Sequence, residues 1–271
     1  MRARIEREPE ALTIDLSRPL GIAIGQDFSA QPRHFGAPAA QTRPWSVAGF
    51  SGSVAQGASC NCNVLTLIPH CNGTHTECVG HLTSAPLDAY RLIPAGLLPA
   101  VLVSVAPAEA HRTDESSDPA PQAGDLLVTA RDLQERWPGS VPFEPRALIV
   151  RTLPNDPDKR QRDYTDLTAP YLSREAACSL VDRGIEHLVV DLPSIDRAHD
   201  EGRLTAHRVF FGLPPGSHAL QAAARSAATI TELAFIPDTI ADGAYLLQIQ
   251  APAIGGDAVP SKPVLYALER P

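Results

Sequence analysis

The stretch Cys71-Asn72-Gly73-Thr74-His75-Thr76-Glu77-Cys78-Val79-Gly80-His81 gathers thiols, imidazoles and a carboxylate into one short segment. Steps of two from Cys71 read Cys71, Gly73, His75, Glu77, Val79, His81. In an extended strand, residues of one parity project from one face. The spacing therefore predicts that Cys71, His75, Glu77 and His81 converge on one side. His70 and Cys78 have the opposite parity and are expected to point away, unless the Gly73-Thr74 step bends the strand.

Outward from this segment, the chain alternates between strand and helix signals. Leu12-Thr13-Ile14-Asp15-Leu16-Ser17 reads as a strand entering a turn at Arg18-Pro19. Residues 25–45 are rich in proline and polar side chains and read as a long loop, of the kind that often borders a site. Cys60 to Ile68 reads as a strand leading into the motif. Leu97 to Val105 alternates valines at 101, 103 and 105, and residues 107–124 read as a surface loop. Thr129 and Asp132 have the spacing of a capping box, for a helix ending at Pro138-Gly139. Ala147-Leu148-Ile149-Val150, a helix capped by Ser173 and stopped at Gly184, and Leu188-Val189-Val190 form a parallel crossover unit. Ala222 to Ala228 is alanine-rich and predicts a helix. Thr229 to Ile236, Tyr245 to Gln250 and Val264 to Leu268 predict strands.

Composition narrows the function. The chain has 271 residues and a formal net charge of −8, with no clustered lysine or arginine stretch. That argues against nucleic acid as a partner. The run Leu92 to Pro107 is broken by prolines and too short for a bilayer, so no membrane partner is expected. Met1 to Glu8 has charges but no apolar core behind them, which does not resemble a secretory signal. The expected compartment is the cytoplasm. Four of the five cysteines lie between Cys60 and Cys78. They read as reduced thiols, and their spacing lacks the paired knuckles of structural zinc sites.

Taken together, these segments resemble the cyclase-like metal-dependent hydrolases, the family of kynurenine formamidase (arylformamidase) and isatin hydrolase. The family motif is H-x-G-T-H-x-D-x-P-x-H, and residues 71–81 match it with Cys71 for the first histidine, Glu77 for the aspartate and Val79 for the proline. Ile14 to Ser17 resembles the opening strand. Asp191-Leu192-Pro193-Ser194-Ile195-Asp196 resembles the D-x-x-S-[VI]-D turn. Leu204-Thr205-Ala206-His207 and Thr231-Glu232-Leu233 resemble the segments bearing a later metal-binding histidine and glutamate. Leu213 to Ala227 reads as an insertion between them.

The resemblance implies one α/β domain over residues 1–271, of the swivelling β/β/α type: a barrel-like mixed sheet flanked by helices. It implies a homodimer or homotetramer and a divalent metal, zinc or manganese, held by Cys71, His75, Glu77, His207 and Glu232. A thiolate at Cys71 suits zinc better than manganese. His81 is the expected proton carrier. The implied reaction is hydrolysis of an amide-type C–N bond, in a formamide or lactam of a small, possibly aromatic molecule. Trp45 and Phe50 are candidates to stack on an aromatic ligand.

Alternatives stay open at this level. Cys71 also reads as a small core residue, and as a third option as a nucleophile beside His75 and Glu77. A repurposed binding protein with an altered metal site, or a carbohydrate- or polyketide-type cyclase, would share the fold. Asp191, Ser194 and Asp196 read as turn residues that organise the site from behind, and Asp15 as a loop anchor. His199 reads as part of a solvated loop, and His218 as part of the insertion.

Overall fold

A computed structural model describes residues 1–6 and 11–269; the charged start read at residues 1–8 lies partly outside them. Among the described residues an eleven-stranded mixed sheet dominates. Its centre is four parallel strands, Leu98–Val105, Ala147–Thr152, His187–Val190 and Thr229–Glu232. Antiparallel strands extend it on both sides. Gly243–Gln250 and Lys262–Glu269 follow Leu98–Val105, while His75–Cys78 and then Ala258–Pro260 follow Thr229–Glu232.

The valine alternation explains why the centre is buried on both faces. Val101, Val103 and Val105 pack with Leu148, Val150, Leu188 and Val190 under the helices. Ala100 and Leu102 pack with Ile149, Val189, Leu247 and Leu265 on the other face. Each valine, leucine or isoleucine side chain here contributes about 1.5–3 kcal/mol on burial. Helices Ala130–Arg136, Arg174–Asp182 and Thr205–Phe211 supply Leu133, Leu180 and Phe210 to the first cluster.

The capping signals hold. Thr129 Oγ1 accepts the Asp132 N–H at 3.0 Å, and Asp132 accepts the Thr129 N–H in return. Ser173 Oγ accepts the Ala176 N–H at 2.9 Å, and Gly184, at φ 72°, ends that helix. Thr152 and Lys159 bond the buried Asp191 carboxylate, and Ser17 bonds Asp15.

Several segments depart from the sequence reading, including the loops read at 25–45 and 107–124, which carry short strands at Gln41–Pro44 and Ala108–Glu109. Ala222 to Ala228 is not helical; a 3-10 turn at Leu220–Ala222 is followed by turns. Arg225 there reaches the carbonyls of Phe210 and Ile185, and Ala224 donates to Gly212, so tertiary contacts override alanine's propensity. The strand begun at Thr229 stops at Glu232, because Leu233 adopts a left-handed φ of 52°. The motif is not one strand. Pro69–Cys71 is a 3-10 turn, His75–Cys78 the strand, and Val79–Leu82 a second 3-10 turn.

Candidate metal centre

The strand His75–Cys78 runs antiparallel to Thr229–Glu232, with His75 opposite Glu232 and Glu77 opposite Ile230. Opposed residues share a face, and Glu77 shares it by parity with His75. That register places His75, Glu77 and Glu232 together: one ligand atom from each lies within 4.8 Å of the others. All three are buried. Thr76 faces the other way and bonds Thr231 at 2.7 Å. Gly73, at φ 145°, has a backbone that L side chains rarely adopt, so glycine turns the chain into this strand. Thr74 Oγ1 donates to the Leu233 carbonyl and accepts the Ile24 N–H, tying the strand entry to the end of its neighbour.

His207 comes from the helix Thr205–Phe211 and is buried rather than helix-surface. Its Nε2 lies 2.8 Å from Glu77 Oε1 and 3.6 Å from Glu232 Oε1. Asp196 aims it: the carboxylate accepts His207 Nδ1–H at 2.7 Å and the backbone N–H groups of Ala206 and His207. Glu232 Oε1 accepts the Ile195 N–H at 2.8 Å, which joins the D-x-x-S-[VI]-D turn to the same cluster. Two non-glycine residues with left-handed backbone, Leu204 and Leu233, flank the elements bearing His207 and Glu232. Such strain concentrates at functional sites.

His81, in the turn Val79–Leu82, forms a second group with Glu77 and His70. His70 was expected to point away, yet its Nδ1 lies 3.0 Å from Glu77 Oε2. The parity rule fails there because residues 69–71 form a 3-10 turn rather than a strand. Cys71 is buried but belongs to neither group. Burial, with the Glu232 charge, pushes its thiol up to about 11.

The electrostatics are those of a tightly coupled interior network. Burial alone would raise the Glu77 pKa. The charges of His207 and His81 outweigh it and hold the carboxyl well below its ordinary range. Burial would lower His207, but Glu77 and Asp196 raise it well above an ordinary histidine. Four of the buried atoms, His75 Nε2, His207 Nε2 and both Glu77 carboxylate oxygens, have no hydrogen-bond partner. His207 Nε2 and Glu77 Oε1 are close but not aligned for a hydrogen bond. Buried polar atoms left unpaired cost about 1–3 kcal/mol each. Buried nitrogen and oxygen atoms that converge without hydrogen-bond partners fit a divalent cation, which would displace the proton held there.

Several functional neighbours are invisible in the sequence. Asp257 approaches His70 Nε2 at 2.9 Å and His81 Nδ1 at 3.3 Å. His34, from the long loop, is buried with both ring nitrogens unpartnered and feels the charge of Glu232. Proline at 69 was the one signal that the strand reading should stop before His70. Nothing near Asp257 in the sequence marked it. Trp45 and Phe50 pack on each other at 5.6 Å, with Trp45 exposed. His199 is exposed, as expected.

The family model described as "Putative cyclase" matches residues 14–197. No curated protein matches the chain. Among solved structures, the "predicted metal-dependent hydrolase from Bacillus stearothermophilus" is 14% identical with a TM-score of 0.57, covering 92% of this chain and 98% of its own. Isatin hydrolase A from Labrenzia aggregata is also 14% identical, with a TM-score of 0.57 and coverage of 93% and 94%. Isatin hydrolase A from Ralstonia solanacearum has 14% identity, a TM-score of 0.58 and coverage of 92% of each chain. At that identity the likeness is one of fold.

Proposed function

The chain belongs to the cyclase family, and on that premise we propose that it is a metal-dependent hydrolase of an amide-type C–N bond, arylformamidase-like, acting on a formamide or lactam of a small molecule. The observation that carries this reading is the set of unpaired, buried nitrogen and oxygen atoms on His75, Glu77 and His207, with Glu232 beside them. These residues would hold the cation. When bound, a divalent ion supplies Lewis acidity toward a carbonyl oxygen and lowers the pKa of water.

The rest of the chemistry belongs to side chains of this chain. Asp196 fixes the His207 tautomer, so that Nε2 faces the carboxylates. Gly73 does the same for His75, whose Nδ1 lies 3.0 Å from the Gly73 carbonyl. His81 is the least buried imidazole of the cluster and lies at its edge. It accepts the proton of the attacking water and delivers it to the leaving nitrogen as the C–N bond breaks. Asp257, beside its Nδ1, holds the ring for that exchange.

The test is a panel of N-formyl arylamines and lactams, offered to metal-stripped protein and to the same protein reloaded with zinc or manganese. Turnover is expected only after reloading. His81→Ala should lose turnover while keeping its metal. Turnover unaffected by stripping, or a metal-loaded protein that opens no member of the panel, would refute the reading.

A further inference from the structure

Each buried imidazole of the cluster has one ring nitrogen fixed and the other aimed at a carboxylate. His75 uses Nδ1 on Gly73, and His207 uses Nδ1 on Asp196. His70 repeats the pattern with the ring reversed. Its Nε2 is fixed by Asp257 Oδ2 at 2.9 Å, and its Nδ1 stands 3.0 Å from Glu77 Oε2. With Nε2 held by Asp257, Nδ1 is aimed at a carboxylate oxygen, close enough to share a cation with it.

Asp257 is built into this place. Its carbonyl accepts the Cys78 N–H at 3.0 Å, which ties it to the motif strand. A Cβ on Gly80 would meet Asp257 Cβ at 3.2 Å and the Leu87 carbonyl at 2.9 Å, so glycine makes room for it. The same carboxylate oxygen reaches His81 Nδ1, and the His70 and His81 rings lie 4.2 Å apart. The residue in front of Cys71, rather than Cys71 itself, therefore enters the cluster.

Resting on the metal-site reading above, we propose that His70, oriented by Asp257, supplies the cation-binding nitrogen that the family motif places one residue later, where this chain has Cys71. The 3-10 turn at Pro69–Cys71 makes the exchange possible, because adjacent side chains of a turn diverge and only one can face Glu77. The resulting donor set, His70 and Glu77 beside His75, His207 and Glu232, holds nitrogen and oxygen alone, with His81 left free as the proton carrier. Such a site takes manganese as readily as its geometry allows, without the bias toward zinc that a thiolate imposes. Asp257 is a positioning residue in this scheme, acting through His70 and His81.

Cobalt(II) titration of the metal-stripped full chain tests this without reference to turnover. The loaded wild-type protein should lack the near-ultraviolet thiolate-to-cobalt charge-transfer band. Cys71→Ser should bind within about twofold of wild type. His70→Ala should bind at least about tenfold more weakly, and Asp257→Ala about 10–100-fold more weakly. The half-exposed Asp257 keeps the test decisive should His70→Ala fail to fold, with circular dichroism of each metal-free variant as the control. A charge-transfer band lost in Cys71→Ser, or full cobalt affinity in both His70→Ala and Asp257→Ala, would overturn the assignment alone. A wild-type chain that binds none of cobalt, zinc and manganese would overturn it together with the hydrolase reading.

Discussion

Glu77 lies between His70 on one carboxylate oxygen and His207 on the other, and it belongs to both ligand groups. No other residue of the cluster has that position. Its charge also balances the imidazoles in the interior. Glu77→Gln keeps the shape and removes the charge. In the metal-free protein this leaves raised-pKa histidines without their carboxylate, and a loss of about 3 kcal/mol is expected in urea unfolding. Metal content by elemental analysis should fall in the same variant. Unchanged stability with unchanged metal content would contradict the central place given to Glu77. The substitution of glutamate for the family's aspartate is consistent with a site whose histidine ligand has also moved.

At the level of elements, the helix Thr205–Phe211 and the turn before it act as one device. Asp196 accepts two backbone N–H groups of the helix start and the Nδ1–H of His207. Helix capping and ligand orientation therefore share one carboxylate. Asp196→Asn replaces one of those acceptor oxygens by a donor. The expected result is a loss of about 1–3 kcal/mol in denaturant unfolding, with metal affinity weaker by about 10–100-fold. A variant that loses stability but keeps full affinity would separate the two roles and count against the orienting one. The strand pair is the other half of the device. The pairing of His75 with Glu232 is a matter of register, and a slip by one residue would turn His75 and Glu77 to the opposite face.

Across the whole molecule, the sheet keeps a second histidine buried away from the cluster. His187 bonds Thr229 at 2.9 Å, and burial lowers its pKa to about 4. An unfolded histidine titrates near 6.5. Between those values the unfolded chain binds the extra proton and the folded chain does not. Stability from this residue is therefore present above about pH 6.5 and is lost as pH falls toward 4, by up to about 3 kcal/mol. Urea midpoints measured from pH 7 to pH 4 should fall, and His187→Gln should flatten that fall relative to wild type. An identical pH dependence in the variant would refute the assignment. The segments that position these groups were legible to different degrees. Alternation at Val101, Val103 and Val105, the capping pairs Thr129–Asp132 and Ser173–Ala176, and the parallel crossover followed from local pattern, because burial and capping act over a few residues. His75 and Glu77 were legible because they lie inside the one true strand of the motif. His70 and Asp257 were not. A turn of three residues cancelled the parity rule for the first, and the second reaches the site from 187 positions along the chain. Local periodicity determined which residues are buried and on which elements. Only the tertiary structure decided which buried atoms meet, since that depends on register and turn geometry set by contacts between distant segments.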